Sequence, residues 1–259
     1  MRSVIPIILL MTILTSANAQ ENNEYKADKF IEGTDTLLYR ILMPENFDPA
    51  KKYPVLLFLH GAGERGNDNE IQLTHGSKLF LQPEVRRNFP AIVIFPQCPS
   101  TSYWSNVKSS NIEGKRSFDF ATSGKPTKAM KLLINLMETV KDLPYTDNNR
   151  FYSAGLSMGG MGTFEIIRRM RGDFAAAIAI CGGDNPKNVK KYKNVPLWIF
   201  HGAKDDVVVP ENSQIVVDAL KAKGADVKFT LYPEANHNSW DLAFAEPELL
   251  SWLFSHHKK

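Results

Sequence analysis

Six apolar runs recur along the chain: VLLFLH (55–60), AIVIFP (91–96), RFYSAGL (150–156), AAAIAI (175–180), PLWIFH (196–201) and VKFTLY (227–232). Short continuous runs of this kind suit strands buried on both faces of a parallel sheet. Helical patterns lie between them. Thr127 to Asp142 carries Met130, Leu133, Ile134 and Met137 at helical spacing, and Pro144 closes it. Met158 to Arg171 stops at Gly172, and Glu211 to Lys223 stops at Gly224. Glu246 to Phe254, with Pro247 in its first turn, predicts a final helix. Strands alternating with helices demand an α/β fold, with a parallel sheet covered on both sides. Ahead of them, Glu24 to Glu32 and Thr36 to Met43 read as a hairpin around Gly33-Thr34-Asp35. Pro99 to Pro126, rich in Ser, Asn and Gly, reads as a long loop on a substrate rim.

The most specific local pattern is Gly155-Leu156-Ser157-Met158-Gly159, set between a predicted strand and a predicted helix. In that context G-x-S-x-G is a sharp strand-to-helix turn that raises the serine hydroxyl above the sheet, and the glycines remove side chains that would clash. A serine attacks only when a base accepts its proton. The base belongs on a later loop at the same sheet edge, and the loop after VKFTLY supplies His237. His60 and His201 stand at strand ends before glycines and read as structural.

The carboxylate that orients the base is expected one strand earlier, in HGAKDDVVVP. Asp205 is the candidate there, with Asp206 facing solvent or capping the next helix, and Asp184 a further alternative. The oxyanion of an acyl-transfer intermediate needs backbone donors. Met158, the residue after the serine, and Ala62, in the glycine-rich loop after VLLFLH, are the expected pair. Trp104 and Trp240 are candidates to line a substrate site, with covering of loop edges the plainer reading. Arg65 is expected in an ion pair with Glu64 or Asp68.

HGAGERG, PQCP, GLSMGG, HGAKDD and HNSW together resemble the α/β-hydrolase superfamily, from roughly Tyr25 onward. More narrowly they resemble secreted esterases of the feruloyl and acetyl-xylan esterase type, and related peptidases near the prolyl oligopeptidase group. The resemblance implies a central eight-stranded, mostly parallel sheet with helices on both faces and an antiparallel hairpin at one edge. It implies a serine carboxylic-ester hydrolase acting on feruloyl or acetyl esters linked to plant polysaccharide, with a prolyl oligopeptidase-like serine peptidase as the alternative. It implies no metal and no organic cofactor. The sequence shows no separate lid or propeller, which favours an open cleft.

Residues 1–19 carry an export signature: Arg2, the apolar run Val4 to Leu14, and the small-residue pattern Ala17-Asn18-Ala19. Cleavage after Ala19 would release a secreted or periplasmic chain, with residues 20–259 as a single catalytic domain and no remaining membrane contact. The net charge of +3 is too small and scattered for nucleic acid. Nothing in the sequence fixes an oligomeric state.

Export and two cysteines, Cys98 and Cys181, invite a disulfide. The topology of the fold opposes it, because three strand spacings of about 4.8 Å separate them by roughly 14 Å, whereas a disulfide needs Cα atoms within about 7 Å. Two buried thiols are expected instead. The unreduced, denatured protein should take up two alkyl groups by mass spectrometry; a Cys98–Cys181 crosslink would contradict the strand order.

Overall fold

The structure, a computed structural model, describes residues 24–112 and 115–258. The export signature therefore lies outside the described residues. In chain order the first elements are β1 (Lys26–Glu32), β2 (Asp35–Leu42), β3 (Tyr53–Leu59), α1 (Ser77–Leu81), α2 (Pro83–Asn88), β4 (Ile92–Gln97), β5 (Val107–Ile112) and β6 (Lys115–Phe120). There follow α3 (Lys128–Lys141), β7 (Thr146–Leu156), α4 (Met158–Arg169), β8 (Ala176–Ile180), β9 (Leu197–Gly202), α5 (Glu211–Lys221), β10 (Val227–Tyr232), α6 (Trp240–Phe244) and α7 (Leu249–Ser255).

Eight strands form one sheet in the order β1-β2-β4-β3-β7-β8-β9-β10. From β4 to β10 neighbours run parallel, and β1 and β2 supply the antiparallel edge. The apolar runs explain this arrangement. Every residue of β3, β4, β8 and β9 is buried, whereas β1 and β10 at the two edges are partly exposed. Alternate side chains then feed two cores. Val55, Leu57 and Leu59 pack with α3, α4 and α5 residues such as Met130, Phe164 and Val217. Leu56 and Phe58 pack on the other face with Phe80, Leu250 and Leu253. Each such side chain contributes on the order of 1.5–3 kcal/mol through burial.

Two expectations need correction. The stretch from Pro99 to Pro126 is not a loop throughout, since β5 and β6 pair as an antiparallel ribbon with Val107 opposite Phe120. Its polar residues hide the pairing, but Val107, Phe118 and Phe120 pack on Met161 and Val208 and hold the ribbon beside the sheet's functional edge. The final helix begins at Leu249, not Glu246, and α6 precedes it as a separate short helix. Pro247 breaks the run between them, and Leu249 N–H instead closes a turn onto the Glu246 carbonyl at 3.1 Å.

One backbone contact anchors α4 to the sheet. A Cβ placed on Gly159 would lie 1.9 Å from the Leu59 carbonyl oxygen, so only glycine lets the first turn of α4 rest on the end of β3. Gly159→Ala should cost about 3 kcal/mol or more, because the clash is with backbone that cannot rotate away. Gly63→Ala, where a Cβ meets nothing within 4 Å, should stay within about 0.5 kcal/mol of wild type. Urea denaturation of both variants checks this; equal stabilities would contradict the contact.

Candidate active site

The strand β7 ends at Leu156 and α4 starts at Met158, which leaves Ser157 as the single residue of the turn. Its backbone sits at φ 53° and ψ −117°, a conformation that costs a non-glycine residue on the order of 1–3 kcal/mol. Hydrogen bonds hold it there: Ser157 N–H donates to Ile180 O at 2.9 Å, and Met161 N–H donates to Ser157 O at 3.0 Å. The hydroxyl is thereby fixed at the carboxyl ends of the parallel strands, where open α/β sheets place their sites.

His237 reaches that point on the loop after β10. Gly202 permits the approach, since a Cβ there would lie 2.2 Å from Asn236 O. Lys204 N–H donates to Ala235 O at 2.9 Å, and Ala203 N–H donates to Tyr232 O at 2.9 Å, so the two loops are laced together. The outcome is a continuous chain of side chains. His237 Nε2 stands 3.0 Å from Ser157 Oγ, and His237 Nδ1 stands 2.7 Å from Asp205 Oδ2. A carboxylate only accepts, so Nδ1 carries the proton and Nε2 is left to accept from the hydroxyl.

Asp205 is almost wholly buried, whereas Asp206 is exposed. Its Oδ1 accepts from Val207 N–H and Val208 N–H, both at 2.9 Å. Burial alone would raise this carboxyl, but hydrogen bonds from His201, His237 and the Val208 amide hold it well below the usual carboxylate range. Asp184 does not join the group. It accepts from Asn188 Nδ2 at 2.8 Å and Tyr192 OH at 3.0 Å, and burial pushes its carboxyl up to about 6.

The loop after β3 flanks the serine, since a Cβ on Gly61 would lie 3.8 Å from Ser157 Cβ. Ala62 opens a short 3₁₀ turn and Met158 opens α4, so both amides belong to the class that a helix leaves without an internal acceptor. Such N–H groups favour negative charge. His60 steadies this loop: Nδ1–H donates to Gly61 O at 2.6 Å, and Nε2 accepts from Cys98 N–H at 3.0 Å. Arg65 forms no ion pair with Glu64 or Asp68. It donates to the carbonyls of Ala62, Ser100 and Ser102 at 3.1, 3.3 and 3.2 Å and so ties two loops together.

The tryptophans separate. Trp104 is completely buried and lies against Gly162 and the His60 ring, so it supports the site from beneath and offers no surface to a ligand. Gly162 lacks the side chain that would block it, which is why a loop tryptophan sinks into the core. Trp240 is partly exposed, and its ring meets His237 edge-on at 5.4 Å and His75 at 5.1 Å. Sequence reasoning missed His201, whose Nε2 lies 3.2 Å from Asp205 Oδ2. The four-residue spacing across a tight turn was the available signal.

Cys98 and Cys181 are free and buried. Cys181, Asp205 and His237 offer ligand-type atoms within 4.8 Å of one another. The set suits a metal poorly, because the carboxylate and imidazole are already bonded to each other and burial keeps the Cys181 thiol protonated.

With this geometry in hand, the comparisons decide the family. The sequence model of the Dienelactone hydrolase family matches residues 103–249, more than half of the chain. The chain belongs to that family. Its fold is the α/β-hydrolase fold. A solved thermostable esterase superposes with a TM-score of 0.82 at 34% identity, covering 92% of this chain and 64% of that one. A bifunctional acetylxylan esterase/xylanase of Neocallimastix patriciarum is 28% identical over 77% of this chain and 25% of its own length. Dipeptidyl-peptidase 5 of Porphyromonas gingivalis is 20% identical over 81% of this chain and 34% of its own. The chain thus spans about a third or less of these curated relatives.

His60 gives the site region a pH dependence. Burial lowers its imidazole from 6.5 to about 4, so the unfolded chain binds a proton that the native state refuses. Stability should therefore fall as pH drops from 6.5 to 4, by up to about 3 kcal/mol from this residue. Denaturation curves across that range should show a shallower loss in His60→Gln; an unchanged slope would contradict the assignment.

Proposed function

We propose that the chain is a serine esterase working through an acyl-enzyme. The observation that carries this reading is the unbroken contact of Ser157 Oγ, His237 and Asp205 at 3.0 and 2.7 Å. As Ser157 Oγ attacks an ester carbonyl, His237 Nε2 takes its proton and Asp205 steadies the imidazolium without taking a proton itself. The Met158 and Ala62 amides supply charge stabilisation for the oxyanion. When the intermediate collapses, His237 returns the proton to the leaving alcohol. Water then attacks the acyl-serine by the same route and releases the acid.

Acetyl or feruloyl esters on polysaccharide are the proposed substrates. The likeness to an esterase structure and to an acetylxylan esterase supports an ester, and the half-exposed Trp240 face beside His237 suits a flat ring. The leader at residues 1–19 supports export to the periplasm or medium. The peptidase reading rests on the dipeptidyl-peptidase relative, of which this chain spans only a third.

Ser157→Ala should lower hydrolysis of p-nitrophenyl acetate by roughly 10⁴-fold or more. Asp205→Asn should lower kcat by roughly 10³–10⁴-fold with little change in KM, because an amide can hold the wrong imidazole tautomer. Full activity in Ser157→Ala would reject the nucleophile. Matched acetyl ester and peptide amide substrates test the rest: faster amide turnover would favour the peptidase.

A further inference from the structure

Asp205 Oδ2 faces two imidazoles. His237 Nδ1 lies 2.7 Å away on the solvent side, and His201 Nε2 lies 3.2 Å away on the inner side. His201 is completely buried at the end of β9 and has no free atom. Its Nδ1 is 2.7 Å from Ser213 Oγ, which lies 3.0 Å from Gly182 O, and its Nε2 is 2.7 Å from Val208 O. Both neighbours of Nε2, a carbonyl and a carboxylate, can only accept. The hydrogen must therefore sit on Nε2, where it bonds Val208 O and has Asp205 Oδ2 as its second, longer neighbour.

This geometry gives the carboxylate four N–H neighbours: two backbone amides on Oδ1 and two imidazoles on Oδ2. We propose that His201 is a positioning residue: by sharing Asp205 Oδ2 it holds the carboxylate in the plane of His237 and weakens its hold on the His237 proton. The inference rests on the serine-esterase reading above.

The consequence has a definite sign. A carboxylate that spends acceptor capacity on a second donor is less basic, so it stabilises the imidazolium of His237 less. The base then stays free of its proton to lower pH, and the enzyme keeps activity further into acid. Removing the His201 donor strengthens the pull of Asp205 on the His237 proton and moves the acid limb of activity upward in pH. Other groups facing this pair are few. Cys181 contributes a neutral thiol at the end of β8, and Ser157 contributes its hydroxyl. His75 stands beyond the Trp240 ring with Glu64 3.8 Å from it. Asp206 and the Lys204–Glu234 ion pair lie exposed on the same loops.

His201 also links elements. Through Ser213 it ties the start of α5 to Gly182 after β8, and through Val208 it closes the acid loop on itself. A purely structural role would change the amount of folded enzyme or its turnover but leave the acid limb in place.

The experiment compares His201→Leu, which removes the donor, with His201→Gln, which keeps an N–H near Nε2. In His201→Leu, kcat on p-nitrophenyl acetate should fall about tenfold with KM within about twofold, and the acid limb of kcat/KM should move up by roughly 0.5 in pH. His201→Gln should restore the wild-type limb. An unmoved limb in folded His201→Leu, or an equal displacement in His201→Gln, would overturn the proposal. If His201→Leu does not fold, His201→Asn is read instead. Its shorter side chain withdraws the donor from Asp205 and should displace the limb in the same direction, and an unmoved limb would overturn the proposal. A fluorophosphonate probe separates this inference from its parent. Labelled Ser157 with an unmoved limb defeats the role of His201 alone, whereas an unlabelled wild-type Ser157 defeats both.

Discussion

The strained turn at Ser157 is the constraint on which the rest of the molecule depends. A serine at φ 53° is held away from its preferred backbone wells, and it stays there only because the elements on either side cannot move. Behind it, β7 is hydrogen-bonded between β3 and β8. Ahead of it, α4 is pressed onto the sheet by glycines at 155, 159 and 160, where an added Cβ would strike backbone. Burial of Phe164, Ile166 and Ile167 on that helix contributes several kcal/mol, more than the 1–3 kcal/mol a strained residue costs. Packing energy is thus converted into a hydroxyl of fixed position, which reactions limited by orientation require.

The second half of the site is built differently. Asp205 and His237 stand on loops, and hydrogen bonds rather than packing give those loops their rigidity. Carbonyl and amide pairs lace residues 203–204 to residues 232–235, and the carboxylate itself is the node at which the acid loop closes. Asp205 itself is buried, which makes its bonds stronger than they would be in water and makes a missing partner costly. The same logic governs the loop at Gly61 and Ala62. Neutral His60 and charged Arg65 there spend their donors on backbone carbonyls and so fix the loop that flanks Ser157.

Much of this was legible in the sequence because the decisive signals are local. Uninterrupted runs such as VLLFLH announce strands buried on both faces, and G-x-S-x-G between strand and helix announces the turn. The order of Ser157, Asp205 and His237 follows from strand order. The misses share a cause: they depend on what a residue meets across the fold. Trp104 looked like a rim aromatic until the space left by Gly162 drew it inward. Arg65 stood beside acidic neighbours in sequence but turned to carbonyls 35 and 37 residues away. The β5–β6 ribbon sets Val107, Phe118 and Phe120 against Met161 and Val208, a contact its mostly polar composition hides, so it mimicked a loop. His201 looked structural because a one-dimensional pattern does not show that its Nε2, bonded to Val208 O, also lies 3.2 Å from the acid.

The central claim is that these three groups make the Ser157 oxygen the atom that carries the acyl group. Rapid acid quenching of the wild-type enzyme during turnover of p-nitrophenyl acetate, followed by peptide mass spectrometry, tests it most directly. An acetyl group on the peptide containing Ser157, formed as fast as the enzyme turns over, is the predicted result. An acetyl group found on any other residue at that rate would contradict the account.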